Sequence, residues 1–141
     1  MRDGLAQLAP YLPFDAPSLE AADAALPFAT DALLKRFENL VNHLQDQVWR
    51  RAAVALSFRD PAAMSRRDLA DAMERLGFLP SADAFVEVIR TRNRLSHLYP
   101  DDPARQARRL NKAVDRSALL LAATDAAVDW AASRLTPPAA P

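Results

Sequence analysis

Apolar residues recur at helical spacing through most of the chain, and nowhere do they alternate with polar ones long enough to predict a strand. From Thr30 to about Phe58, the positions Leu33, Phe37, Leu40, Val41, Leu44, Val48, Ala52 and Ala55 follow the three-and-four spacing of one buried stripe on a long helix. Lys35, Arg36, Glu38, Asn39, Asn42 and Asp46 fall largely off that stripe. Asp60-Pro61 should end the helix, because a proline ring disfavours helical geometry in the residue before it. Ser65-Arg66-Arg67-Asp68 has the form of a capping box and opens a second helix with Leu69, Ala72, Met73 and Leu76 inside. Gly77 stands where a left-handed residue would close that helix. A third helix is expected to start at Ser81 and bury Phe85, Val88 and Ile89. It should fail at about Leu98, because Tyr99 precedes Pro100. Asp102-Pro103 pairs a capping side chain with proline at the first helical position, and starts a last helix reaching about Leu135. Along it, Leu110, Val114, Ser117, Leu121, Thr124, Val128, Ala131 and Leu135 predict a packing seam.

The ends read differently. Pro10, Pro13 and Pro17 predict that residues 1–17 form no regular element, only an arm, extended or docked through Tyr11, Leu12 and Phe14. Ser18 is expected to cap a short helical turn reaching about Leu26, where Pro27 interrupts. The expected organisation is a proline-rich arm over residues 1–27, a helical domain over 28–135, and a disordered tail over 136–141. The fold class is all-α, an antiparallel bundle of four main helices joined by short loops.

Composition narrows the chemistry. The chain has 141 residues, half of them hydrophobic, enough to build one core without staples. It has no cysteine, which excludes disulfides, thiolate zinc sites and cysteine nucleophiles, and fits a reducing compartment. Two histidines, His43 and His97, are too few for a histidine-rich cage, and no clustered acidic motif proposes a magnesium site, so no metal or cofactor is expected. The longest strongly apolar run, Ala118 to Ala123, is far short of a membrane span, and a soluble cytoplasmic protein is the expectation. Formal net charge is zero, which argues against bulk electrostatic binding to nucleic acid. The charge is unevenly placed, however. Between Arg90 and Arg116 eight basic residues face three acidic ones, Asp101, Asp102 and Asp115. That excess surrounds His97 and makes Arg94, Arg105, Arg108 and Arg109 candidate RNA contacts.

The third helix ends in Arg92-Asn93-Arg94-Leu95-Ser96-His97-Leu98-Tyr99. Arginine, four residues, histidine, one residue, tyrosine: this resembles the signature of the HEPN superfamily, in the form found in its HepT-like toxin branch. Asn93 matches the polar second position, and the resemblance covers about residues 28–135. It implies a metal-independent endoribonuclease acting as a homodimer, with a composite site at the shared interface and Arg92, Asn93 and His97 as catalytic residues. It further implies a toxin held in check by a minimal nucleotidyltransferase antitoxin, which transfers AMP to the motif tyrosine, here Tyr99. The chemistry suits these residue types. RNA cleavage by its own 2′-hydroxyl needs a proton acceptor, a proton donor and stabilisation of a dianionic phosphorane. Imidazole titrates near neutrality, and guanidinium presents a permanently charged fork to phosphate oxygens.

On an ideal helix, residues five apart point about 140° from each other, so Arg92 and His97 share no face while Asn93 and His97 do. The motif therefore requires unwinding near Pro100 or a meeting of residues across two chains. Plainer roles exist for each residue. Arg92 can cover core with its stem while its head reaches water. His97 can stabilise a helix end, and Tyr99 can anchor a loop. His43 has no partner pattern and reads as a surface or interface residue, while Trp49 and Trp130 read as core or interface aromatics. The alternative function is a non-catalytic HEPN module that binds a nucleotidyltransferase or a nucleotide.

Overall fold

The computed structural model describes residues 1–95 and 102–135, and all regular structure among them is helical. The elements are α1 (Arg2–Leu8), a 3-10 turn (Ala9–Tyr11), α2 (Ala16–Glu20), α3 (Ala25–His43), a π-helical stretch (Leu44–Trp49), α4 (Arg50–Ala55), α5 (Arg66–Arg75), α6 (Ala82–Leu95) and α7 (Pro103–Leu135). Two compact units divide the chain: Met1–Val41 with Glu87–Ala118, and Asn42–Val86 with Leu119–Pro141. No helix among the described residues is long and apolar enough to cross a membrane.

In the first unit the core gathers Leu8, Phe14, Leu26, Leu33, Ala107 and Leu110, with Met1, Leu5 and Leu19 packed at its edge. The N-terminal segment thus belongs to a core, where its prolines predicted an arm without regular structure. The reason is positional. Residues 2–8 precede the first proline, and Pro10 falls in the opening of a short 3-10 turn, where no amide donor is needed. Phe14 is buried, while Tyr11 and Leu12 remain exposed. The Phe14 backbone is held by the Asn111 amide of α7, which accepts from Phe14 N at 2.9 Å and donates to Phe14 O at 2.9 Å. Asp15, not Ser18, caps α2, its Oδ1 accepting from Ser18 N at 2.8 Å. Hydrogen bonds from the Ser18 side chain and then its backbone hold the Asp15 carboxyl below its ordinary pKa. Pro27 lies in the first turn of α3 rather than interrupting a helix, because a first-turn residue has no carbonyl behind it to bond.

The long apolar stripe is realised with a change of phase; Phe37 and Val41 fall in the first unit, and its positions from Leu44 onward in the second. Phe37, Val41, Gln45, Trp49 and Ala53 are all buried, each four residues after the last. A strict four-residue repeat drifts around a helix of 3.6 residues per turn, and the wider π-helical turn at Leu44–Trp49 absorbs that drift. Within the second unit Trp49 packs on Phe85, with ring centroids 4.6 Å apart. Phe78 meets Trp130 edge-on at 5.5 Å, and the Arg134 guanidinium lies 5.2 Å from the Trp130 ring centre. Arg50 clamps the following loop, donating to Pro61 O at 2.7 Å and reaching the carbonyl oxygen of Met64.

The local stop and start signals are built as their chemistry requires. Ser65 Oγ accepts from Asp68 N at 3.0 Å, while Asp68 accepts from Ser65 N, completing the capping box of α5. Gly77 has φ of 78°, the left-handed conformation that terminates α5 without a Cβ penalty. Ser81 Oγ accepts from Ala84 N at the start of α6, and Asp102 Oδ1 from Arg105 N at the start of α7. The seam of α7 differs from expectation. Ala107, Leu110, Ala113, Ser117, Leu120, Ala123 and Ala127 are its buried line, while Val128 is 60% exposed. The expected line steps four and then three from Leu110, whereas the buried line steps three and then four, so Leu110 and Ser117 are shared while Ala113, Leu120 and Ala127 replace Val114, Leu121 and Val128.

Candidate functional site

The last two turns of α6 carry the first half of the motif. Val88 and Thr91 face inward, which turns Arg92 partly and Asn93 fully towards the surface. Arg92 is half-buried, but its Nε and Nη2 are shielded from solvent and have no hydrogen-bond partner among the described residues. This departs from the plain expectation that the stem covers core while the head reaches water. A buried, unpaired guanidinium donor is unfavourable by about 1–3 kcal/mol or more, so the group is poised for an anion or acceptor to complete it.

A pocket of about 340 Å³ lies in the same unit, lined by Thr91, Arg94 and Leu95 of α6 and by Arg105, Arg108, Arg109 and Lys112 of α7. Five cations line it, and no acidic side chain among the described residues does. The four from α7 recur at three- and four-residue steps, which on a helix keeps them within about 100° of arc. Such neighbours repel, each pair disfavouring an exposed helix by a few tenths of a kcal/mol, or about 0.2–0.5. Arg94, Arg108 and Lys112 form no ion pair among the described residues.

The structure thus brings together Arg94, Arg105, Arg108 and Arg109, the four arginines singled out by local charge. It adds Lys112, whose spacing from Arg105, Arg108 and Arg109 was the signal that would have found it. It does not bring Arg92 or Asn93 into this pocket. At about 100° per residue they point roughly 110° and 150° away from the middle of the Thr91–Arg94–Leu95 face. His97 and Tyr99 lie outside the described residues, as does the remainder of 96–101.

The second unit holds a different hollow, about 350 Å³, lined by His43, Gln47, Val48, Arg51, Ala52, Ala55, Ala127, Trp130 and Ala131. Its lining is largely apolar, and exposed His43 sits at its edge with no acid or nucleophile beside it on that wall. The same unit buries Gln45 completely with neither Oε1 nor Nε2 bonded, and Trp49 with Nε1 unbonded. Sequence reading passed over Gln45, a polar residue inside an apolar stripe. No group of three His, Asp or Glu among the described residues is placed to hold a metal ion.

No family model, curated protein or solved structure matches the chain.

Proposed function

We propose that the chain is a toxin-like, metal-independent endoribonuclease of HEPN type, with Arg92, Asn93 and His97 as its catalytic residues. The observation that carries this reading is the Arg92 guanidinium, held half-buried near the end of α6 with two donors unpaired. A phosphate oxygen would satisfy both donors with charge-assisted bonds. In the proposed reaction the substrate's 2′-oxygen attacks phosphorus and the bond to the 5′-oxygen breaks. One His97 accepts the 2′-proton, and the partner protomer's counterpart delivers a proton to the departing 5′-oxygen. The products are a 2′,3′-cyclic phosphate and a free 5′-hydroxyl. Arg92 neutralises charge on the phosphorane, and Asn93 donates to a phosphate oxygen or orients the imidazole.

The same reading assigns an antiparallel four-helix arrangement, a homodimer that completes the site, and a nucleotidyltransferase antitoxin acting on Tyr99. The last two assignments rest on the motif's resemblance, and the first on the succession of helices and short loops in the sequence. A non-catalytic module is the second reading. It is favoured by the neutral total charge and by the pocket's lying off the motif face.

The test is cleavage of mixed RNA in EDTA by the wild type, Arg92→Ala and His97→Ala, each first shown to be helical. Loss of at least about a hundred-fold in both variants supports the nuclease, since a positioned acid or base contributes about 10²–10⁴. Equal activity in all three rejects these residues, and an inactive, unmodified wild type leaves the binding module.

A further inference from the structure

We infer that the pocket of Arg94, Arg105, Arg108, Arg109 and Lys112 is a subsite for the backbone of single-stranded RNA, separate from the motif face of α6. The identity of this ligand rests on the nuclease reading above; the site itself rests on geometry. Five cations converge on one concavity without an acid among the described residues, while Arg92 points to another face of the same helix. One residue range therefore carries two anion sites.

The dimensions suit a run of phosphates rather than a single one. Arg105 and Lys112 are seven residues apart on α7, about 10 Å at a rise of roughly 1.5 Å per residue. A stacked strand carries one phosphate per about 3.4 Å, so the row matches about three. Arginine forks bind phosphate oxygens in pairs, and four of the five cations are arginine. No aromatic side chain among the described residues lines the pocket, so none of these stacks on a base, and the contact its cations make is with the backbone. Such contacts position a strand without reading its sequence. The subsite therefore contributes affinity and register, and leaves any sequence preference to the motif side.

Binding is measured by fluorescence anisotropy with a 2′-O-methyl RNA oligonucleotide, whose blocked 2′-oxygen cannot attack, so that binding is separated from cleavage. With about three phosphates neutralised, affinity should fall about twenty-fold between 50 and 200 mM salt. The double variant Arg108→Ala/Lys112→Ala, confirmed helical by circular dichroism, should fall only about three-fold over the same range. Arg59→Ala/Arg75→Ala, which removes as much charge elsewhere, should keep the twenty-fold dependence. Arg108→Lys should keep it too.

Equal flattening in the Arg59/Arg75 control would mean bulk charge alone and overturn the subsite. So would an unchanged dependence in the pocket variant, tighter binding of a matched duplex, or binding of free ATP through these residues without binding of the oligonucleotide. The two proposals fail separately. Cleavage that persists while the pocket variant leaves the salt dependence unchanged removes the subsite and keeps the nuclease. Pocket-dependent binding without any cleavage removes the nuclease and keeps an RNA-binding surface.

Discussion

Among the described residues, the shielded side-chain donors without a partner belong to Arg92 in the unit of Met1–Val41 and Glu87–Ala118, and in the other unit to Gln45, with Trp49 one turn on. Both leave donors unsatisfied in a shielded place, but their surroundings differ. Arg92 is a permanent cation near the end of α6, only half-buried as a residue and followed by the exposed Asn93. Gln45 is neutral, completely buried, and set in a π-helical turn among apolar neighbours. An unpaired amide inside a core is satisfied by nothing that arrives from solution without opening the fold. An unpaired guanidinium near the surface is completed by any anion that reaches it. The comparison teaches that an unsatisfied group points to function only when its ligand has a route to it.

The sharpest way to break this contrast is at Arg92. Arg92→Met should abolish RNA cleavage by at least about a hundred-fold while stabilising the free protein by about 1–3 kcal/mol, because the buried donors disappear. A rate assay and a urea melt of the same sample decide it, and a variant that loses both activity and stability would refute the poised-guanidinium reading. Core truncation gives the next largest effect. Phe85→Ala, which removes the ring tilted against Trp49, should destabilise the fold by about 3–5 kcal/mol in the same melt. Gln45→Met should raise stability by about 1–3 kcal/mol and leave RNA cleavage and binding untouched; any loss of either would place Gln45 on the functional side of the comparison.

Smaller effects test the local signals. Gly77→Ala meets open space around a new Cβ, so its penalty is purely conformational, about 1–2 kcal/mol from the left-handed backbone. The smallest is electrostatic. Asp15 has its pKa lowered from 3.8 by the Ser18 hydrogen bonds, so the unfolded chain binds this proton more readily than the folded one. Its contribution is therefore complete above the unfolded value and fades as pH falls through the folded one. Asp15→Asn, which keeps a capping oxygen, should flatten the acid limb of stability measured between about pH 5 and pH 2.

Much of the fold was legible because its signals are local. The Ser65 capping box, left-handed Gly77, and the caps at Ser81 and Asp102 each depend on residues within one turn, and each stands in the structure. The helix expected to reach Asp60-Pro61, by contrast, already ends at Ala55, where Ser57 takes a left-handed φ of 59° and Phe58 N donates back to Ala53 O. The misjudged segments needed distant partners. Whether Leu8 and Phe14 belong to a core depends on Leu33 and, about a hundred residues away in the chain, on Leu110 and the Asn111 amide. The phase of α7 likewise depends on what packs against it, which no seven-residue count contains. At the site, charge clustering picked out Arg94, Arg105, Arg108 and Arg109 because they crowd one stretch of chain, and three of them lie on α7, where spacing alone gives direction.

By itself, the sequence determined the helical class, most helix ends, the absence of cysteine chemistry, and the local excess of positive charge, all properties of composition or of neighbours in the chain. Only the tertiary structure decided that the basic residues meet in one pocket, that Arg92 faces elsewhere with its donors unpaired, and that a π-turn seats Gln45 and Trp49 in the core. Those facts depend on the rotation of one helix against another, and that rotation is set by the packing of side chains far apart in the chain.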